Sequence, residues 1–143
     1  METITKDGFN VYQFYTFDDY LKNFESIEKK IWNYHNHHYR LNNIVVEDVS
    51  RKQLTNLERI FFKFKTKDGK ELSGYAQANA KPSSIFIPVF GGAVEISDGP
   101  FETIKKEDVL SAKVGDIISI QGYFQELKHK KNIPIRYFQK TKQ

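Results

Sequence analysis

The amino-acid sequence predicts a mainly β protein with one N-terminal helix, and three observations carry that reading. Apolar residues between Phe17 and Tyr34 recur every three or four positions, the spacing of one helix face. From Asn43 the period falls to two, as in strands with one buried face. Within the β part, two alternating runs flank Lys67-Asp68-Gly69, which has the composition of a hairpin turn.

A chain of 143 residues suits a single domain. At that length roughly 68–70% of the unfolded surface can be buried, so folding needs no covalent staples. There is no cysteine, which excludes disulfides and thiolate metal sites and fits a reducing compartment. No apolar run nears the roughly 20 residues that span a bilayer. The start, Met1 to Asp7, lacks the basic and apolar segments of a secretory signal. A cytoplasmic protein with no membrane partner is therefore expected.

Taking the elements in order, Phe9 to Tyr15 is a short β-like stretch with aromatic residues on both faces. Thr16 has the chemistry of a helix N-cap, with Asp19 as the far half of a capping box and Asp18 favoured by the helix dipole. Phe17, Tyr20, Leu21, Phe24, Ile27, Ile31 and Tyr34 form an apolar stripe, opposite Lys22, Glu25, Lys29 and Lys30. The stripe predicts a helix to about His35, and such a helix needs a surface to lie on. Residues 1–42 therefore read as an N-terminal extension packed on a β unit of residues 43–143, the whole forming one compact domain.

Ile44 to Val49 is the next expected strand, followed by a polar loop from Ser50 to Asn56. The hairpin from Arg59 to Gln77 has two candidate loops, which side-chain pairing separates. A two-residue loop, Asp68-Gly69, would set Phe64 opposite Ser73 and mix the faces. A three-residue loop with Gly69 left-handed sets Phe64 opposite Leu72, Phe62 opposite Gly74 and Ile60 opposite Ala76. The other face then pairs Lys65 with Glu71, Lys63 with Ser73 and Phe61 with Tyr75. A half-buried sheet selects the register that separates its faces, which is the three-residue loop.

The segment from Ala80 to Ala112 is less regular. Ser84 to Phe90 is apolar but contains Pro88, so it is an edge strand or a loop. Gly91-Gly92 and Asp98-Gly99-Pro100 signal turns, and Lys105 to Leu110 suits a short helix. A strong strand is expected from Ile117 to Glu126, then a basic loop from Leu127 to Asn132. The last strand runs from Ile133 to Lys140, with Pro134 at an edge or at its beginning.

From Asn43, five strands with a helix between the third and fourth resemble the OB-fold superfamily, five-stranded Greek-key barrels that include many nucleic-acid-binding domains. Val114 to Phe124 looks like the fourth strand of such domains: Gly115-Asp116 precedes an apolar alternation, and Gly122 sits mid-strand where the barrel bends. Ile60 to Gln77 looks like the second and third strands. The resemblance covers residues 43–140. It implies a ligand groove across the second and third strands, flanked by the loops after the first and fourth.

On that map, Phe61 and Tyr75 form an aromatic pair on the outward face, with Lys63, Lys65 and Gln77 in the same rows. The first loop adds Arg51 and Lys52. The second adds Lys128, His129, Lys130 and Lys131, and the last strand adds Arg136. Charge is distributed to match: Leu127 to Gln143 holds five lysines, one arginine and no acid, whereas Met1 to His35 holds six acids and four lysines. Rings that stack bases, ringed by cations that meet phosphates, are what sequence-tolerant single-strand binding requires. The expected partner is single-stranded DNA, ahead of RNA, in replication, recombination or repair.

The alternative is an adaptor that docks on a larger replication or recombination protein, or a homo-oligomer. Its motive is the aromatic excess of Phe9, Tyr12, Phe14, Tyr15, Phe86 and Phe90. His35, His37 and His38 invite a metal or nuclease reading, but no acid stands near them in sequence before Glu47. The chain lacks a phosphate-cradling glycine motif and a nucleophile elbow. Neither a metal, a cofactor nor an enzymatic activity is expected.

Overall fold

The chain begins with a hairpin in which β1 (Glu2–Lys6) pairs antiparallel with β2 (Phe9–Phe14), turning at Gly8 with φ +82°. The computed structural model describes residues 2–6, 8–53, 57–79, 85–89, 92–95 and 106–141. Helix α1 (Phe17–Glu28) follows, and Thr16 caps it by accepting from the Asp19 N–H at 3.1 Å. The helix ends seven residues before His35. Ile31 and Tyr34, the last members of the apolar stripe, are reached by turns instead: the Ile31 N–H bonds the Glu28 carbonyl, and Asn33 caps a 3-10 turn at Tyr34–Asn36. The reason is topological. β2 runs parallel to β3 (His37–Gln53), and a parallel pair needs a crossover, which α1 supplies.

β3 is 17 residues long and passes through the 42/43 boundary without a break in assignment. Its register shifts between Leu41 and Ile44, where Asn43 takes φ +57°, and again between Val46 and Asp48. These irregularities let one strand serve several neighbours. Its first part lies between β2 and β8, and its second part pairs with β4. The expected polar loop from Ser50 is thus strand as far as Gln53; residues 54–56 lie outside the described residues.

β4 (Leu57–Lys65) and β5 (Glu71–Asn79) take the three-residue-loop register throughout, with Phe64 opposite Leu72 and Phe61 opposite Tyr75. The Thr66 N–H bonds the Lys70 carbonyl, and Gly69 has φ +80°. β6 (Ile85–Val89) and β7 (Gly92–Glu95) form a hairpin that continues the sheet from β5. The turn signals at Gly91 and Asp98-Gly99-Pro100 lie outside the described residues. α2 (Lys106–Leu110) precedes β8 (Ile117–Tyr123), which is succeeded by a 3-10 turn at Phe124–His129 where more strand and a basic loop were expected.

The last expected strand is divided into β9 (Ile133–Pro134) and β10 (Tyr137–Lys140). β9 is parallel to β5, and β10 is antiparallel to β8. Between them the Ile135 N–H bonds the Tyr75 carbonyl and the Arg136 N–H bonds the Gln121 carbonyl, both at 2.9 Å. Two glycines make room for this crossing. A Cβ on Gly74 would stand 2.7 Å from the Ile133 carbonyl oxygen, and one on Gly122 would stand 3.2 Å from that of Pro134. The described strands therefore number ten in one sheet, more than the five expected from residue 43, because the irregular segment adds a hairpin, the N-terminus adds another and the last strand is divided in two.

Alternation buries Ile60, Phe62, Phe64, Leu72 and Ala76 against Ile118, Ile120 and Phe138. The same core continues into α1, where Tyr20 donates its hydroxyl to the Phe124 carbonyl at 2.5 Å and Phe24 stacks on the Phe124 ring.

Candidate nucleic-acid interface

Because Ile60, Phe62 and Phe64 point inward, Arg59, Phe61, Lys63 and Lys65 point outward. Register extends their rows across three strands. Lys52 stands opposite Arg59, which stands opposite Gln77; Ser50, Phe61 and Tyr75 form the next row. Asp48, Lys63 and Ser73 follow, then Val45, Lys65 and Glu71. Phe61 and Tyr75 are half-buried, with ring centroids 6.3 Å apart and planes at 41°. The Arg59 guanidinium lies 5.1 Å from the Tyr75 ring centre. Lys52, Lys63 and Lys65 are exposed. The face thus holds two adjacent rings, and its four cations outnumber Asp48 and Glu71. The Gln77 side chain is outside the described residues, although its backbone pairs with Arg59.

Several residues expected at this interface stand elsewhere. Arg51 and Lys52 belong to β3 and not to a loop. Arg51 pairs with Ile60, so it leaves the opposite side of the sheet from Lys52, and its guanidinium donates to the Leu110 carbonyl at the end of α2. Lys128 turns its ammonium over the Phe24 ring at 4.6 Å, and Lys130 lies 5.1 Å from the Phe17 ring centre. Both cations therefore cover α1. Lys130 also takes φ +62°, and its carbonyl accepts from the Ser73 N–H at 2.8 Å. His129 and Lys131 are exposed on the same segment.

Arg136 is the clearest correction. Its side chain is 8% exposed and grips Glu126 through two 3.1 Å hydrogen bonds, with the guanidinium 4.0 Å from the Tyr123 ring centre. A charge so enclosed is a structural partner of Glu126, not a phosphate ligand on the open face.

Arg59 is the residue that sequence reasoning missed. The signal was present, since it shares parity with Phe61 and faces Gln77 in the same hairpin register.

The histidines do not converge. His37 and His38 are neighbours in a strand and leave it on opposite faces. His37 Nδ1 shares a 2.7 Å hydrogen bond with the Tyr12 hydroxyl. His38 stands 3.3 Å from Gln121 Nε2, while Gln121 Oε1 accepts from Arg40 at 3.1 and 3.2 Å. Burial pushes the His38 imidazole down to about 4 and lowers that of His37. Among the described residues, no three His, Asp or Glu side chains are grouped to hold a metal ion. In the same residues no helix is long and apolar enough to cross a membrane.

No protein-family model matches this chain, and searches of curated proteins and of solved structures return no match either.

Proposed function

We propose that this protein is a non-catalytic binder of single-stranded nucleic acid, and that its ligand lies across the outward face of β3, β4 and β5. The observation that carries the reading is the pair Phe61 and Tyr75, side by side and half-buried, with Arg59 against one ring and Lys52 and Lys63 in the flanking rows. Two stacked bases at about 1–3 kcal/mol each, plus a few phosphate contacts, reach micromolar affinity. The fold reading supports the same assignment. Ladders run from β3 to β4, β5 and β9, and from β10 through β8 back to β3, an order we read as that of an OB-type barrel with its last strand divided. On this reading β1, β2 and the β6–β7 hairpin are additions to that barrel.

The test is anisotropy of labelled oligo-dT and oligo-U at low salt, beside a duplex of equal length. The single strands bind, DNA ahead of RNA, and Phe61→Ala with Tyr75→Ala weakens them at least tenfold, about 1.4 kcal/mol. Wild-type protein that ignores both single strands, or that binds them equally well without the two rings, overturns the proposal.

A further inference from the structure

Trp32 is the one tryptophan of the chain, and the fold leaves it 90% exposed. Tryptophan is highly buried on average, and this one does not stand in water alone. Two residues on, Tyr34 and His35 are also exposed, and both rings meet Tyr123 of β8 edge-on, with centroids 4.8 and 5.1 Å away. His38 meets the same ring at 5.3 Å from β3. The neighbouring row of that sheet pairs Arg40 with Gln121. Arg40 leaves β3 between the buried Tyr39 and Leu41, so it points outward. Its guanidinium lies 5.1 Å from the Tyr137 ring centre and donates twice to the Gln121 side-chain oxygen, at 3.1 and 3.2 Å. Those partners are neutral, and among the described residues no carboxylate pairs with Arg40. In its row the first acid is Glu2, two strands away, which accepts from Gln13 at 3.4 Å. Glu126, beside Tyr123, is taken by Arg136. Glu25 and Glu28 lie on α1, but Lys29 and Lys30 stand exposed between them and Trp32, and no acid follows before Glu47.

We infer that Trp32, Tyr34 and Arg40 form a second contact for the same single strand, with bases stacking on the Trp32 and Tyr34 rings and a phosphate meeting Arg40. The inference rests on the function proposed above and lengthens its footprint. β3 serves both places: its second part carries the Phe61–Tyr75 face with β4, and its first part pairs with β8 beside this patch. A guanidinium positioned by a ring and a neutral amide keeps its whole charge for a phosphate, which its fork of donors suits. Exposed indole and phenol rings beside lysines supply sequence-tolerant stacking. A strand that touches both places must follow β3 from one part to the other, so the second contact serves long oligonucleotides.

Because Trp32 is the only tryptophan, indole emission reports this patch and not the Phe61–Tyr75 face. Labelled oligo-dT of about 16 nucleotides, the upper end of the span of one such fold, is titrated while anisotropy and Trp32 emission are followed together. Emission is quenched in parallel with the rise in anisotropy. Phe61→Ala with Tyr75→Ala weakens the strand, yet the bound strand still quenches Trp32. Trp32→Ala weakens binding roughly fivefold. It leaves the thermal melt unchanged, because the ring it removes is exposed. Arg40→Gln lowers the slope of log affinity against log salt by about 0.7. Circular dichroism confirms that each variant is folded. Anisotropy that rises with no change in emission, or Trp32→Ala and Arg40→Gln proteins that bind as wild type does, overturns the inference and leaves the first face standing. A wild-type protein whose anisotropy stays flat overturns both.

Discussion

Asp68, in the turn between β4 and β5, holds the start of α1 at Phe17. One carboxylate oxygen accepts from the Phe17 N–H at 3.1 Å, and the other accepts from the Asp18 N–H at 3.0 Å. Thr66 donates its hydroxyl to the same carboxylate at 2.5 Å. The hairpin turn therefore caps a helix 51 residues away in sequence, and Thr16, immediately before the helix, caps the next position. Partial burial works to raise the Asp68 pKa, but these hydrogen bonds outweigh it and the net direction is down. A depressed carboxylate contributes stability above its ordinary value of 3.8, and loses it as pH falls through the folded value.

Asp68→Ala should cost about 1–2 kcal/mol by the usual cost of an N-cap. Asp68→Asn should cost less, because the amide oxygen keeps one acceptor. Urea titration at neutral pH measures both. As pH falls below 3.8 the difference between wild type and Asp68→Asn should shrink.

The β3 histidines make a second acid-sensitive element, in a different window. His37 and His38 have folded pKa values below 6.5, so the unfolded chain takes up protons first as pH falls. Stability should decline from pH 6.5 toward about 4, with His38 accounting for up to about 3 kcal/mol. His38→Gln should flatten this slope while lowering stability at pH 7, through its lost contacts with Tyr123 and Gln121. Denaturation midpoints at pH 7 and pH 5 decide the matter.

Gly74→Ala should be more damaging than Gly122→Ala. The first places a Cβ 2.7 Å from a backbone oxygen that β9 cannot move without breaking its ladder; the second meets the Tyr39 ring at 3.1 Å. Overpacking of this kind costs roughly 1–3 kcal/mol, and Gly74 belongs at the upper end. Thermal melts of the two variants give the order.

The Glu126–Arg136 pair predicts a non-additive cycle. Glu126→Ala leaves an enclosed guanidinium without its carboxylate and should cost about 3–5 kcal/mol. Glu126→Leu combined with Arg136→Met should cost less than Glu126→Ala. Chemical denaturation of the two variants tests this.

The interface itself has a salt signature. If Lys52, Arg59, Lys63 and Lys65 each meet a phosphate, log affinity should fall with log salt with a slope of about −3. Lys63→Ala should reduce that slope by about 0.7. Lys128→Ala should leave it unchanged, since that ammonium covers Phe24.

Much of the fold was legible because it is local. The β4–β5 register follows from parity within one hairpin, and Phe61 and Tyr75 were paired by counting outward from Gly69. Thr16 announced the start of α1 by its own chemistry. β1 was legible too and was passed over: Thr3-Ile4-Thr5 is a β-branched run ahead of Asp7-Gly8, and only its brevity hid it.

By itself, then, the sequence determined the β character, the helix start and the two-faced central hairpin, since period and turn chemistry act over a few neighbouring residues. Only the tertiary structure decided that α1 is a crossover ending at Glu28, that β3 runs on past Ser50, and which cations are already engaged. Arg136 finds Glu126, Lys128 finds Phe24 and Asp68 finds Phe17 because packing brings distant segments within a few ångströms. A side chain's charge is written in the chain, but what it meets depends on contacts that no local pattern encodes.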